Sequence, residues 1–276
     1  MNRVESLTEA NKQEVLSFLA QRPVHTVVMT SFIRDNGIES SDNRGKFHAY
    51  RNEKGDLEGV ALIGHTTLVE ARSANALMAF ALIARESETP IHIMMSDGKS
   101  TEKFWKYFAG ELQEPRLVCT EMLFELNFPF FVRDCKWNVR LAKAEELEPI
   151  AEAHAEVAFI ESGVDPMKKD REGFLKRCLK RIEKERTFVV FEDDKLVFKA
   201  DIVAETDNVI YLEGIYVSPE YRGQGIGSSC LSKLGLDLLD RVQHICLLSN
   251  VEFKNAHKSF AKAGFVNTDQ CQTIFV

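Results

Sequence analysis

Residues 209–231, VIYLEGIYVSPEYRGQGIGSSCL, gather the chain's densest set of groups able to do chemistry. An apolar strand pattern runs into a loop with Gly223, Gly225 and Gly227, and the loop runs straight into a helix pattern. A helix N-terminus presents unpaired backbone N–H groups and the positive end of the helix dipole, so it attracts anions. Glycine lets a phosphate come close to the backbone. Arg222 adds a fixed positive charge. Together these make a phosphate or pyrophosphate cradle at a strand–loop–helix junction.

Two common cradles fit poorly. A Walker loop needs Lys-Ser/Thr after its last glycine, and here Ser228-Ser229 follows Gly227. The dinucleotide fingerprint needs GxGxxG and a carboxylate at the end of the next strand. Here the spacing is GxGxG, and the next strand ends in Leu248-Ser249-Asn250.

The third possibility fits at every specified position. Arg222-Gly223-Gln224-Gly225-Ile226-Gly227 resembles the Arg/Gln-x-x-Gly-x-Gly/Ala signature of the GNAT acetyltransferase superfamily, and Val217-Ser218-Pro219-Glu220-Tyr221 resembles its approach to that loop. A later segment, Asn255-Ala256, then Phe260, then Lys262-Ala263-Gly264-Phe265, is similar to the superfamily's second motif. The resemblance covers roughly residues 136–276. The first half is similar, more faintly, to the degenerate N-terminal domain of tandem members and has no cradle signature of its own.

The resemblance implies direct acetyl transfer from acetyl-CoA to an amine, without a metal. Carried over residue by residue, Ile215, Tyr216 and Val217 would pair with the pantetheine arm. Arg222, Gly223, Gln224, Gly225, Ile226, Gly227 and the following Ser228 would hold the pyrophosphate. Asn255 and Phe260 would contribute further cofactor contacts. One departure stands out: the later helix usually carries a Tyr thought to protonate the leaving thiolate, and here the residue is Phe260. That motivates a rival reading, a non-catalytic acyl-CoA-binding module.

Glu213 is the candidate general base. A lone acid in an apolar strand is costly to bury unless it is paired or faces a cavity, and enzymes of the superfamily often carry their base nearby. Lesser candidates are His154, on an apolar helix face where a core role is the commoner explanation, and Glu161 and Asp165 in a loop after that helix. Asn250, at a strand end, suits either an acyl site or a turn cap.

The elements that position these residues follow from periodicity. In the second half, strands are expected over 137–142, 187–192, 196–204, 209–217, 244–248 and 268–276, with helices over 145–159, 170–186, 226–242 and 255–263. In the first half, helices are expected at 8–22, 74–85 and 100–108 and strands at 47–51, 57–64, 90–95 and 118–126. Residues 24–33 are ambiguous, and Phe104, Trp105 and Phe108 read as core. Pro129 marks a boundary. The fold class expected is α/β with mixed sheets: two GNAT-like domains, residues 1–130 (degenerate) and 136–276 (binding acetyl-CoA), each a mostly antiparallel sheet flanked by helices.

Composition bounds the partners. The chain has 276 residues, 45% hydrophobic and 28% charged, with net charge −7. Both halves carry more acid than base, which argues against nucleic acid. Six scattered cysteines form no CxxC pair or zinc spacing, as expected of free thiols in a reducing compartment. The polar first residues lack the apolar core of a signal peptide, and no apolar run approaches the ~20 residues needed to span a bilayer. A soluble cytoplasmic protein is expected. Nothing in the sequence sets the acceptor or the oligomeric state.

Overall fold

The structure is a computed structural model describing residues 4–110 and 113–276; the first three residues of the polar N-terminal stretch lie outside it. Backbone contacts divide the chain into two compact units. One runs to Met122 and includes Asp269–Val276; the other is Leu123–Thr268.

The first unit holds β1 (Val4–Ser6), α1 (Lys12–Leu19), α2 (Val27–Asn36), β2 (Gly45–Arg51), β3 (Leu57–Gly64), β4 (Thr66–Ala71), α3 (Ala74–Arg85), β5 (Ile93–Asp97), α4 (Gly98–Ala109) and the start of β6 (Leu117–Leu126). Of the ambiguous residues 24–33, 24–26 form a turn and 27–33 are helix. The Thr26 hydroxyl donates to Leu19 O and Arg22 O, and Val27, Met29 and Ile33 turn inward. Strand β4 was not legible because Thr67–Glu70 is buried on both faces, which erases the period-two alternation. Phe104 is buried, with Trp105 and Phe108 packed against the same core as Leu77 and Phe80.

The second unit holds β7 (Arg140–Leu141), α5 (Leu147–Ser162), α6 (Pro166–Lys169), α7 (Arg171–Glu183), β8 (Thr187–Glu192), β9 (Lys195–Glu205), β10 (Val209–Val217), α8 (Ile226–Leu239), β11 (His244–Asn250), α9 (Lys254–Ala263) and the start of β12 (Val266–Phe275). The strand expected over 137–142 shrinks to two residues, paired with Phe188 and Val189. Helix α5 packs Ile150 and Ala153 over Val189 and Leu196, while Ala151 and Ala155 meet Phe174 and Cys178 of α7.

The two units repeat one topology. In the first, β2–β3 and β3–β4 are antiparallel and β4–β5 is parallel. In the second, β8–β9 and β9–β10 are antiparallel and β10–β11 is parallel. The last strand, β12, pairs Cys271–Phe275 with Ile93–Asp97 of β5, so the C-terminal residues complete the first unit's sheet. All six cysteines are free thiols. Among the described residues, no helix is long and apolar enough to cross a membrane.

Candidate active site

Strand β10 carries the site because its two edges behave differently. Against β11 it pairs only over Val209–Leu212 with His244–Leu247. Against β9 it pairs further, from Ile210 to Val217, with a bulge between Glu213 and Tyr216. Gly214 takes the bulge at φ +59°, a conformation few other residues adopt. A cleft of about 660 Å³ opens beside Leu212–Val217, floored by Leu248 and Ser249 and flanked by α5, α8 and α9.

Helix α8 opens on this cleft. Gly225 is its N-cap, at φ +81°, and supplies no side-chain cap. A Cβ at Gly223 or Gly225 would meet nothing within 4 Å, so the glycines leave room in front of the helix N-terminus. Gly227 has another purpose: its Cβ would lie 3.2 Å from Val217 Cγ2, so it lets α8 pack against the strand. Ser228 is buried, and its hydroxyl donates to Gly225 O at 2.9 Å. An open, uncapped helix end with glycine clearance fits a pyrophosphate.

The residues singled out in the sequence largely converge. Glu213, Ile215, Tyr216, Val217, Arg222, Gly223, Gly225, Ile226, Gly227, Ser228, Asn255 and Phe260 all line the cleft. Gln224 does not; its amide donates back to Glu220 O at 3.0 Å. Arg222 donates through Nε to Val217 O at 2.8 Å and through its terminal nitrogen to Glu156 at 3.1 Å, and its guanidinium lies 5.8 Å from the centre of the Tyr216 ring. Burial, then the Glu156 charge, pushes the Tyr216 hydroxyl above its usual pKa.

Glu213 accepts a hydrogen bond from the Tyr211 hydroxyl at 2.6 Å. Phe260 is buried among aromatic rings, 5.5 Å from Phe124 and 6.4 Å from Phe265, while one face lines the cleft. Glu161 lines the cleft as well. Asp165 instead caps α6, accepting from Met167 N and Lys168 N. Asn250 is a turn cap: its Oδ1 accepts from Glu252 N at 3.0 Å, and it is not among the cleft residues.

His154 lies behind the strand, in a buried charged cluster with Lys199 and Asp201 of β9 and Arg181 of α7. Lys199 donates to Asp201 and lies 3.3 Å from His154 Nδ1; Asp201 also accepts from Arg181 at 3.1 Å and from the Thr187 hydroxyl at 2.8 Å. Burial, reinforced by the Lys199 charge, pulls the His154 pKa down to about 4. Burial alone would raise Asp201, but Lys199 and Arg181 outweigh it and hold the carboxyl well below its usual range. Sequence reasoning missed this cluster. The signal was Lys-x-Asp inside the apolar run 196–204, the same anomaly that drew attention to Glu213. It also missed Glu156 and Lys258, whose helical positions give no local hint that they reach the cleft; Lys262, part of the later motif, reaches it too.

Residues 183–267, which contain the cradle, the bulged strand and α9, match the acetyltransferase (GNAT) domain family. The family match is confined to this part of the second unit. The chain is similar in a short stretch to the thialysine N-epsilon-acetyltransferase of Sus scrofa, 58% identical over 36 residues, 13% of this chain. The match spans about a fifth of that relative's length (21%). At the level of fold the likeness covers the whole chain. A Drosophila protein superposes with TM-score 0.69 at 10% identity, covering 99% of this chain and 98% of that one. A tandem GNAT protein from the clavulanic acid biosynthesis pathway superposes with TM-score 0.60 at 11% identity, covering 98% and 97%. These likenesses concern the fold, which the whole chain shares with a tandem GNAT protein.

Among the described residues of the first unit, the helix that corresponds to α8 does not open through glycines. This helix, α3, follows β4 directly, and Ser73 caps it by accepting from Ala76 N at 3.3 Å. The helix end that faces outward through glycines in the GNAT domain is here served by the chain's own hydroxyl.

Proposed function

We propose that the protein binds acetyl-CoA in the cleft of its second unit and transfers the acetyl group to a primary amine. The observation that carries this reading is the conjunction of two features: β10 leaves β11 after Leu212, and the uncapped α8 N-terminus opens onto the same cleft. The bulged strand Ile215–Val217 would pair with the pantetheine arm. Gly223, Gly225 and the α8 N–H groups would hold the pyrophosphate, with Lys258 and Lys262 adding positive charge.

In the transfer, the amine nitrogen attacks the thioester carbonyl carbon. A C–N bond forms, the C–S bond breaks, the amine proton passes to Glu213 directly or through water, and the thiolate leaves with coenzyme A. Glu213 lies at the cleft wall with its orientation held by Tyr211, which favours catalysis over passive binding. The acidic residues Glu156, Glu161 and Glu213 on the cleft wall favour a cationic amine. A relative named for acetylating thialysine points the same way.

The test is CoA release by the full chain with a panel of mono- and diamines and basic amino acids. Thiol release that depends on the amine, with the acetylated amine found by mass spectrometry, is the expected result. Tight CoA binding with no thiol release from any amine would establish a binding module instead.

A further inference from the structure

The buried cluster behind β10 calls for a reason beyond stability. Lys199 is fully buried, and replacing buried ion pairs with apolar groups often costs nothing. An ammonium has three donors, and here each has a partner in reach. Two are the Asp201 carboxylate and, at 3.3 Å, His154 Nδ1, which itself lies 3.2 Å from Asp201 Oδ2. The third is not a side chain. It is the carbonyl of Gly214, at 3.1 Å, in the bulge of β10.

Gly214 is pressed against this cluster. A Cβ there would lie 2.8 Å from Lys199 Nζ, 2.9 Å from Asp201 Oδ2 and 3.1 Å from His154 Nδ1. On its other side the same backbone lines the cleft. The peptide joining Gly214 to Ile215 is planar and trans, so its C=O and N–H point in opposite directions. Fixing the carbonyl on the cluster therefore fixes the Ile215 N–H facing away from it.

We propose that Lys199 is a positioning residue for acetyl transfer: its ammonium pins the Gly214 carbonyl and so aims the Ile215 N–H, at the cleft wall, toward the thioester oxygen. Asp201 holds the ammonium in place, and Arg181, Thr187 and His154 hold the set from α7, β8 and α5. Without the pin, a bulge carbonyl that has left the ladder would rotate to find another donor, and the N–H would rotate with it. A donor aimed at developing negative charge acts only if its direction is set in advance.

The proposal rests on the acetyl-transfer reading, and two readouts keep the two apart. The first is kinetic, on the full chain. Lys199→Met keeps the length and removes the donors; kcat should fall on the order of 10²-fold, as for a misplaced catalytic donor. CoA affinity by calorimetry should change less than about threefold. Lys199→Gln, which retains an N–H donor, should recover part of the loss. A folded Lys199→Met chain with kcat within about threefold of wild type, or with kcat and CoA affinity lost in parallel, overturns the pin. Should Lys199→Met fail to fold, Lys199→Met/Asp201→Leu removes both charges and is read the same way. The second readout needs no turnover: in a crystal structure of the variant, the Gly214 carbonyl should have rotated from its place. An unmoved peptide also overturns the proposal, whereas a wild-type chain without turnover whose variant shows the rotated peptide sinks only acetyl transfer.

Discussion

The Tyr211 hydroxyl and the Glu213 carboxylate meet at 2.6 Å from positions two residues apart on one face of β10. Tyr211 is buried and Glu213 lines the cleft, so a donor rooted in the core holds an acid at the wall. Substituting Glu213→Gln should lower kcat by roughly 10²–10⁴, leave CoA affinity unchanged and abolish the acidic limb of the pH–rate profile. Tyr211→Phe, which loosens the carboxylate without removing it, should cost about tenfold in kcat. Steady-state kinetics across pH check both; an intact acidic limb in the Gln variant would make Glu213 structural.

One CoA should bind per chain, at the α8 N-terminus. Gly225→Asp places a negative charge in the open space before the helix and imposes φ +81° on a residue with a side chain. We expect CoA affinity to fall by more than about 10²-fold, about 2.7 kcal/mol or more. Calorimetry on the folded variant checks this, and a tight residual site would place the cradle elsewhere.

The first unit's α3 is capped by its own residue. Ser73→Ala should lower stability by about 1 kcal/mol and leave CoA stoichiometry and affinity as in wild type. Thermal unfolding paired with calorimetry makes the comparison. Altered CoA binding in this variant would give the first unit a role in the cradle.

His154 should make the protein acid-sensitive. Its folded pKa, about 4, lies below the ordinary histidine value of 6.5. Between those values the unfolded chain binds the extra proton and the folded chain does not. Stability from this group is therefore full above pH 6.5 and is lost as pH falls toward 4. The window is worth up to a few kcal/mol, at about 1.4 kcal/mol per pKa unit. Thermal melts of wild type and His154→Gln at pH 7 and pH 4.5 measure it. The wild type should lose more stability between the two than the variant, and equal losses would contradict the buried neutral ring.

Much of the candidate site was legible because its signals are local. Gly223 and Gly225 announce a helix entrance with clearance, Arg222 a charge beside it, and the 3.6-residue pattern through Leu231, Leu234 and Leu238 the helix itself. Glu213 drew attention as an acid in an apolar strand. Lys199 and Asp201 carry the same signal one strand earlier, but a charged pair within a strand does not say what it faces. Its significance depends on Gly214, 15 residues away along the chain. Strands β1 and β4 escaped notice, β4 because burial of both faces leaves no alternation to read.

By itself, then, the sequence made most helices and strands legible, together with the glycine-rich strand–loop–helix junction at 217–227, since each depends on neighbours within a few residues. The tertiary structure alone decided three things. It set where β10 parts from β11, which opens the cleft. It gave β12 to β5, 93–97 with 271–275, although the strand follows the second half in sequence. It brought Lys199 under the Gly214 carbonyl. These are choices of partner and register between distant segments, and several apolar strands offer nearly equal ladders and burial. Only the packing of the whole core selects among them, and no local pattern encodes that selection.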